Sequence, residues 1–458
     1  MAEAADSGAS RAGGPAPSVL GSSHVASIIA EALKVPAAFS RLQTLTDLVG
    51  ARLAGSAAEP RAVSWAKGEF EKIGLVVRLE PVMVPVWVRG AESAEIVEPS
   101  RQPLVILGLG GSVGTPPEGI TAPVAVVGSY EELAALGKDK VGGKIVLFDN
   151  PFVRTGDEMH DYGEAVKFRG GGASMAARNG AVAALVRSVA TASLRTPHTG
   201  GLHYAEDATR IPAAAVTIED SLLIRRLVAS GKEVRVHLFL GAHQEPDREG
   251  ANVVAEIAGR EKRDEIVLIG AHLDSWDVGA GAIDDGAGCA IVLETMRLMA
   301  AGPPPRRTIR AVLYANEENG LKGALAYRDA HKDELPSHVA AIEADSGAGA
   351  ARGFTIDAGE GGEAALRDLL SSALAPIGAA RVRAGGGGAD ISVLGASGVP
   401  LMELDQDTTR YFDWHHTMAD TLDKVEPAEL QQAAAAFAAA AWLLAESPAR
   451  LPRKAASR

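Results

Sequence analysis

IVLIGAHLDSWDVGAGAIDDGAGCAIVLETMRLM, residues 266–299, is the stretch on which the reading of this chain turns. Ile266 to Ala271 form a short apolar, partly β-branched run of strand length. His272 and Asp274 stand where the run ends, and alternation along an extended backbone puts both on one side. A glycine-bearing loop then presents Asp284 and Asp285 ahead of a helical run from Ala287 to Met299. An imidazole at a strand end followed by a carboxylate at a helix start is how an open α/β sheet assembles a site at its carboxyl edge. The pair offers a divalent metal a neutral nitrogen and an anionic oxygen, with a further acid to hold the ring. A surface histidine followed by a helix-capping aspartate would look the same on this segment alone.

The rest of the chain extends the pattern. From Asn252 the rhythm is strand, loop, helix. Strands are expected at 253–257, 266–270, 308–314, 339–344, 354–357 and 399–404. Helices are expected at 287–300, 321–331, 362–374, 391–394 and 427–445. Strands separated by helices predict an α/β fold: a mixed, mostly parallel sheet covered by helices on both faces. The strand at 308–314 runs into Asn316-Glu317-Glu318-Asn319-Gly320, the strand at 339–344 into Asp345, and Asp413-Trp414-His415-His416-Thr417 precedes the last long helix. Each piece alone reads as a charged loop. Together, His272, Asp284, Glu318, Asp345 and His416 recur at successive element ends. Five such ligands suit two zinc ions when one carboxylate is shared, giving each metal one histidine and one terminal carboxylate. Glu317, beside a ligand but spare, is the natural general base for water.

Upstream, residues 25–33, 39–53 and 62–73 have helical spacing and lead into strand-like runs at 75–78, 82–88 and 103–109. From 120 to 242 short apolar segments alternate with Gly, Pro and polar turns, which predicts an inserted β-rich module. His160, His198, His203, His237 and His243 are scattered through it and are expected to be surface or structural. Its PHTGGLHY loop, residues 197–204, is expected near substrate. The glycine runs at 170–172 and 385–388 lack the Gly-Lys-Ser/Thr ending of a phosphate loop, so nucleotide binding is not expected. The expected organisation is a disordered tail at 1–22, the first part of the main domain at 23–119, the insert at 120–242 and the rest of the main domain at 243–450.

Composition narrows the function. The 458 residues are 47% hydrophobic and 22% charged, a globular balance. With 45 Lys and Arg against 58 Asp and Glu the net charge is −13, which argues against nucleic acid or an anionic membrane as partner. Cys289 is the only cysteine, so neither an intrachain disulfide nor a structural Cys-zinc site is available. No apolar run reaches the ~18 residues of a membrane span, and the first twenty residues lack the basic start and apolar core of a signal peptide. As written the chain is expected in the cytoplasm, or secreted or periplasmic if a leader was lost.

The motifs HLDSWDVGAGAIDDGAG, ANEENG, IEADSG and HHTMADT resemble the metal-site motifs of the co-catalytic zinc aminopeptidase and carboxypeptidase family. PHTGGLHY, GGGGADI at 385–391 and YFDWHHT extend the likeness over residues 120–445. The resemblance implies a zinc-exopeptidase, phosphorylase/hydrolase-like fold with a protease-associated-type insert at 120–242, and dimers. It implies that Asp284 bridges two zinc ions, with His272 and Asp345 completing one site and Glu318 and His416 the other. It further implies that Asp274 orients His272, that Glu317 is the general base, and that Asp390, His415 and Tyr411 contact substrate. An acid at Asp390 could hold a free α-amino group, favouring dipeptides or free N-termini. The expected activity is therefore hydrolysis of small peptides by a dipeptidase- or aminopeptidase-like enzyme. The complete five-ligand set disfavours a glutaminyl cyclase-like aminoacyltransferase, since such enzymes tend to use one zinc. A non-enzymatic scaffold would be expected to have lost ligands or Glu317.

Overall fold

The computed structural model describes residues 19–153, 162–192 and 194–456. Residues 1–18 of the expected tail, and His160, lie outside the described residues; a helix runs over Val19–Lys34.

Two eight-stranded sheets organise the described residues. In the main sheet the spatial order is Val77–Val88, His243–Ile257, Arg307–Tyr314, Lys262–His272, His338–Glu343, Leu401–Gln406, Ala351–Asp357, Arg381–Ala384. The strands from Arg307–Tyr314 through Leu401–Gln406 are mutually parallel, and antiparallel pairs flank them. Their side chains alternate between two cores. Val267, Ile269 and Ala271 pack under the Ala287–Ala300 and Pro427–Glu446 helices, while Leu268 faces Tyr327, Ile391 and Leu394 on the other side. Pro427–Glu446 carries an alanine run, Ala433 to Ala436 and Ala438 to Ala441, that is buried throughout. A helix apolar on every side belongs inside a core, and small side chains let its neighbours approach closely.

This topology creates the crevice. Lys262–His272 has a parallel neighbour on each side, and the chain leaves it first for Arg307–Tyr314 and later for His338–Glu343. Connections that diverge to opposite sides open a gap beyond the carboxyl ends of the strands, where open α/β sheets bind ligands. Register sets the level of each group. His272 pairs with Tyr314, three residues before Glu317, and Gly270 pairs with Glu343, so His272 and Asp345 lie the same distance past paired residues.

The second sheet spans Glu92 to Leu240. It begins ahead of residue 120 because Glu92–Glu98 pairs antiparallel with Arg235–Leu240. The module is less purely β than its sequence suggests. Helices Tyr130–Val141, Tyr162–Arg178 and Ile218–Ala229 flank parallel strands at Ile120–Val127, Ile145–Phe148, Ala183–Arg187 and Ala213–Val216. The glycine run at 170–172 lies inside Tyr162–Arg178. Glycine costs a helix about 1 kcal/mol, but a Cβ on Gly172 would come within 2.9 Å of the Phe148 ring, so close helix-to-sheet packing requires it.

Candidate active site

His272, the last residue of its strand, is fixed by backbone and side chain together. Its N–H donates to Asp285 Oδ2 at 3.1 Å, and Asp285 Oδ1 accepts the Gly288 N–H at 2.9 Å, tying the strand end to the start of the next helix. Its Nδ1 lies 3.1 Å from the Asp274 carbonyl and 3.8 Å from that residue's carboxylate. Asp274 therefore holds the ring through its main chain. Its carboxylate instead accepts the Glu317 N–H at 3.0 Å.

Asp284 sits in the Ala282–Gly286 turn, whose dihedrals depart from helical values and whose Asp284–Asp285 peptide is cis. Two residues far away in sequence fix that turn. Asp420 Oδ1 accepts the N–H groups of Ala282 and Ile283, both at 2.8 Å. Arg52, fully buried, donates to the carbonyls of Leu273, Ala280 and Gly281 at 2.6, 2.7 and 2.9 Å. Gly281 (φ 56°) is needed here, since a Cβ would come within 2.4 Å of the Ser275 side chain.

The five groups expected at element ends converge, and Asp284 stands between two halves. Its Oδ1 is 3.2 Å from His272 Nε2, which is 3.4 Å from Asp345 Oδ1. Its Oδ2 is 3.1 Å from His416 Nε2, which is 3.1 Å from Glu318 Oε2. All five residues are largely out of solvent, yet His272 Nε2, Asp284 Oδ2 and Glu318 Oε1 are buried with no hydrogen bond of good geometry. Ring nitrogens and carboxylate oxygens aimed at a shared space, unpaired with donors, fit cation ligation.

The electrostatics agree. Burial raises the Glu317 carboxyl well above its ordinary value, and Asp345, Glu318 and Asp284 add to the effect. Burial and the Asp284 charge push Glu318 up to about 7. Burial opposes a charged His416, but Glu318 and Asp284 outweigh it and bring the ring to about 10. Carboxylates crowded in a dry site demand compensating positive charge, which divalent cations provide.

The His416 half depends on the second sheet. His416 has a left-handed backbone (φ 61°), uncommon for a residue with a Cβ. Thr199, from the PHTGGLHY loop, holds it twice: its N–H donates to the His416 carbonyl at 3.0 Å, and its own carbonyl lies 3.3 Å from His416 Nδ1. His415 stacks on His416 with ring centroids 3.5 Å apart, and its Nε2 is 3.4 Å from Asp284 Oδ2. Asp284, His415 and His416 thus form a donor group as tight as His272, Asp284 and Asp345.

A cavity of about 680 Å³ opens over these groups between the two sheets' elements. Glu317, Tyr411, His415, His203 and Glu403 line it. Asp390 does not. It is fully buried behind Gly387, Gly388 and Ala389, whose segment forms that wall, and neither carboxylate oxygen has a partner among the described residues. Burial, with Glu343 and Glu317 nearby, raises its carboxyl well above the usual range. Of the scattered histidines, His198 is buried and held down to about 3 by desolvation, while His237 forms a bond with Thr121 Oγ1. Cys289 is buried with its Sγ 3.0 Å from the His272 carbonyl, and desolvation raises its thiol.

Sequence reasoning missed Arg52, Arg169, Asp285, Asp420 and Glu403. Asp285 adjoins a ligand and Asp420 follows His416 by four residues, so both had a signal. Arg52 and Arg169 lie in segments with no motif.

Residues 252–441 match Peptidase family M28. Carboxypeptidase Q of Homo sapiens is 39% identical over 417 residues, covering 91% of this chain and 86% of that protein. Aminopeptidase YwaD of Bacillus subtilis (strain 168) is 24% identical over 443 residues, 93% of this chain and 90% of that one. Among solved structures, a peptidase M28 precursor from Shewanella amazonensis SB2B superposes with a TM-score of 0.91 at 39% identity, covering 95% of this chain and 99% of that one. BSAP, a zinc aminopeptidase from Bacillus subtilis, shares the fold at a TM-score of 0.67 and 23% identity, covering 91% and 96%.

Proposed function

Because the chain belongs to peptidase family M28, we propose that it is a zinc-dependent exopeptidase that hydrolyses small peptides, dipeptides foremost. The observation that carries this reading is the Asp284 carboxylate shared between the His272–Asp345 and His416–Glu318 pairs at 3.1–3.4 Å. These residues would hold two zinc ions, with Asp284 common to both. Zinc bound there supplies a Lewis acid for the scissile carbonyl and makes water a stronger acid.

The remaining work belongs to the chain. Glu317, in the cavity wall and raised by its buried surroundings, takes the proton of the attacking water and hands it to the leaving amine. Asp274 fixes the Glu317 backbone and, through its carbonyl, the proton-bearing nitrogen of His272. Arg52 and Asp420 keep Asp284 in place. Glu403, in the cavity and held by Ser346 Oγ at 2.6 Å, is better placed than Asp390 for a substrate ammonium. Tyr411 and His415 line the same space and contact the substrate. The second sheet is assigned as a protease-associated-type insert. No helix among the described residues is long and apolar enough to cross a membrane.

The test is a panel of an unblocked dipeptide, the same dipeptide N-acylated, and an aminoacyl anilide. Turnover of the unblocked dipeptide, lost in Glu317→Gln with zinc retained, supports the proposal. Turnover of none by the zinc-loaded protein rejects it.

A further inference from the structure

Resting on the peptidase reading above, we propose that Arg169, supplied by the second-sheet unit, receives the free α-carboxylate of a substrate that ends one residue beyond the scissile bond. Arg169 lies on the Tyr162–Arg178 helix, is nearly buried, and lines the catalytic cavity. The acidic groups Asp284, Glu317, Glu318, Asp345 and Glu403 line the same cavity. Among the described residues no carboxylate pairs with Arg169. Its polar contacts among the described residues are Tyr162 Oη at 2.8 Å from Nη2, the Thr199 carbonyl at 3.4 Å from Nη1, and His416 Nδ1 at 3.4 Å from Nη1; Nε has no partner among them.

The last of those contacts is not a hydrogen bond when His416 ligates through Nε2. Its proton then sits on Nδ1, directed at the Thr199 carbonyl, and two donors face each other. The guanidinium is left with N–H groups unspent beside a cavity. Burying an unpaired cation is costly unless an anion answers it, and the fork of an arginine matches a carboxylate in particular. The fold also makes room for it. A Cβ on Gly200 (φ 138°) would come within 2.4 to 2.7 Å of the guanidinium.

Position sets the length of the substrate. One imidazole separates Arg169 from the carboxylate cluster, since Nδ1 of His416 faces the arginine while Nε2 faces Asp284 and Glu318. An extended peptide advances about 3.3–3.6 Å per residue. A chain terminus one residue past the reacting carbonyl therefore reaches Arg169. In a longer peptide that place is taken by a neutral amide, which leaves the arginine unpaired.

Calorimetry on the zinc-loaded Glu317→Gln protein, which binds without turnover, tests this with alanyl-alanine and its C-terminal amide. The free acid is expected to bind at least 10-fold more tightly than the amide. Arg169→Gln, which removes the charge and keeps a polar side chain, is expected to bring the two within twofold while leaving amide affinity and zinc content unchanged. Should that variant not fold, Arg169→Lys is expected to weaken the free acid at least threefold and leave the amide alone. Equal binding of acid and amide by the parent overturns the proposal. So does a preference that survives Arg169→Gln, or a variant that weakens both ligands equally, which marks the arginine as a support for His416. Retained preference in binding with no hydrolysis by the wild-type protein would reject the peptidase reading, and with it the scissile bond, while supporting the pairing of Arg169 with a carboxylate.

Discussion

The two halves of the site are built differently. The His272 half belongs entirely to the main sheet: a strand end, the turn that follows it, and the end of the adjacent parallel strand, locked by Asp285 and the Asp274 carbonyl. The His416 half is assembled across the molecule. Its histidine has a left-handed backbone, its ring is held by the carbonyl of Thr199, and Arg169 from the second-sheet unit lies against the same ring. One half inherits its geometry from the sheet, whereas the other needs two units to stay docked. Perturbations of the inserted unit should therefore reach the His416 half first.

The largest expected effect tests what the halves share. Glu317→Gln should lower kcat by about 10²–10⁴-fold while both metals stay bound, measured by steady-state kinetics beside metal analysis. Loss of metal would mean that Glu317 also ligates. Next comes the asymmetry itself. Gly200→Val places a branched side chain against the Arg169 guanidinium and should displace the Thr199–Gly200 backbone. Outer-shell disruption typically costs 10–100-fold in metal affinity, and here one zinc of the pair should weaken by that factor while the other does not. Chelator titration should then resolve two unequal steps. Equal weakening of both would remove the distinction between the halves.

The same difference explains what could be read beforehand. Strand spacing and the residues at strand ends are local, so His272, Asp284, Glu318, Asp345 and the parallel sheet were legible, including the helices at 287–300 and 362–374. The clamp around Asp284 was not, because Arg52 bonds carbonyls more than 200 residues away and carries no periodic signal. That Asp274 orients His272 is expected from the motif, but the closer contact is its carbonyl rather than its carboxylate, and a sequence cannot show which oxygen is nearer. The helix at 162–178 escaped because its glycines contradict local propensity, which the Phe148 contact overrides. Asp390 follows a glycine run that does reach the cavity, yet its own side chain turns inward.

Two smaller effects sharpen the contrast from the main-sheet side. Arg52→Met leaves three carbonyls without their buried donor and should cost about 2–4 kcal/mol in stability, with both zinc affinities reduced, as thermal unfolding with and without metal would show. The smallest concerns pH. His338 begins a core strand, bonded to Tyr327 Oη at 2.9 Å, and burial lowers its ring to about 4. Between that value and the unfolded value near 6.5, the unfolded chain binds a proton that the folded chain refuses, so stability falls as pH drops through this window. The loss should be roughly 1–3 kcal/mol, and His338→Gln should flatten that part of the stability–pH curve. An unchanged slope would place the acid sensitivity elsewhere.

The most direct measurement is zinc stoichiometry in four purified proteins: wild type, His272→Ala, His416→Ala and Asp284→Asn. Shared ligation by Asp284 requires about two zinc ions per chain in wild type, about one in each histidine variant, and little or none in Asp284→Asn. One zinc in wild type, or two retained by Asp284→Asn, would contradict it.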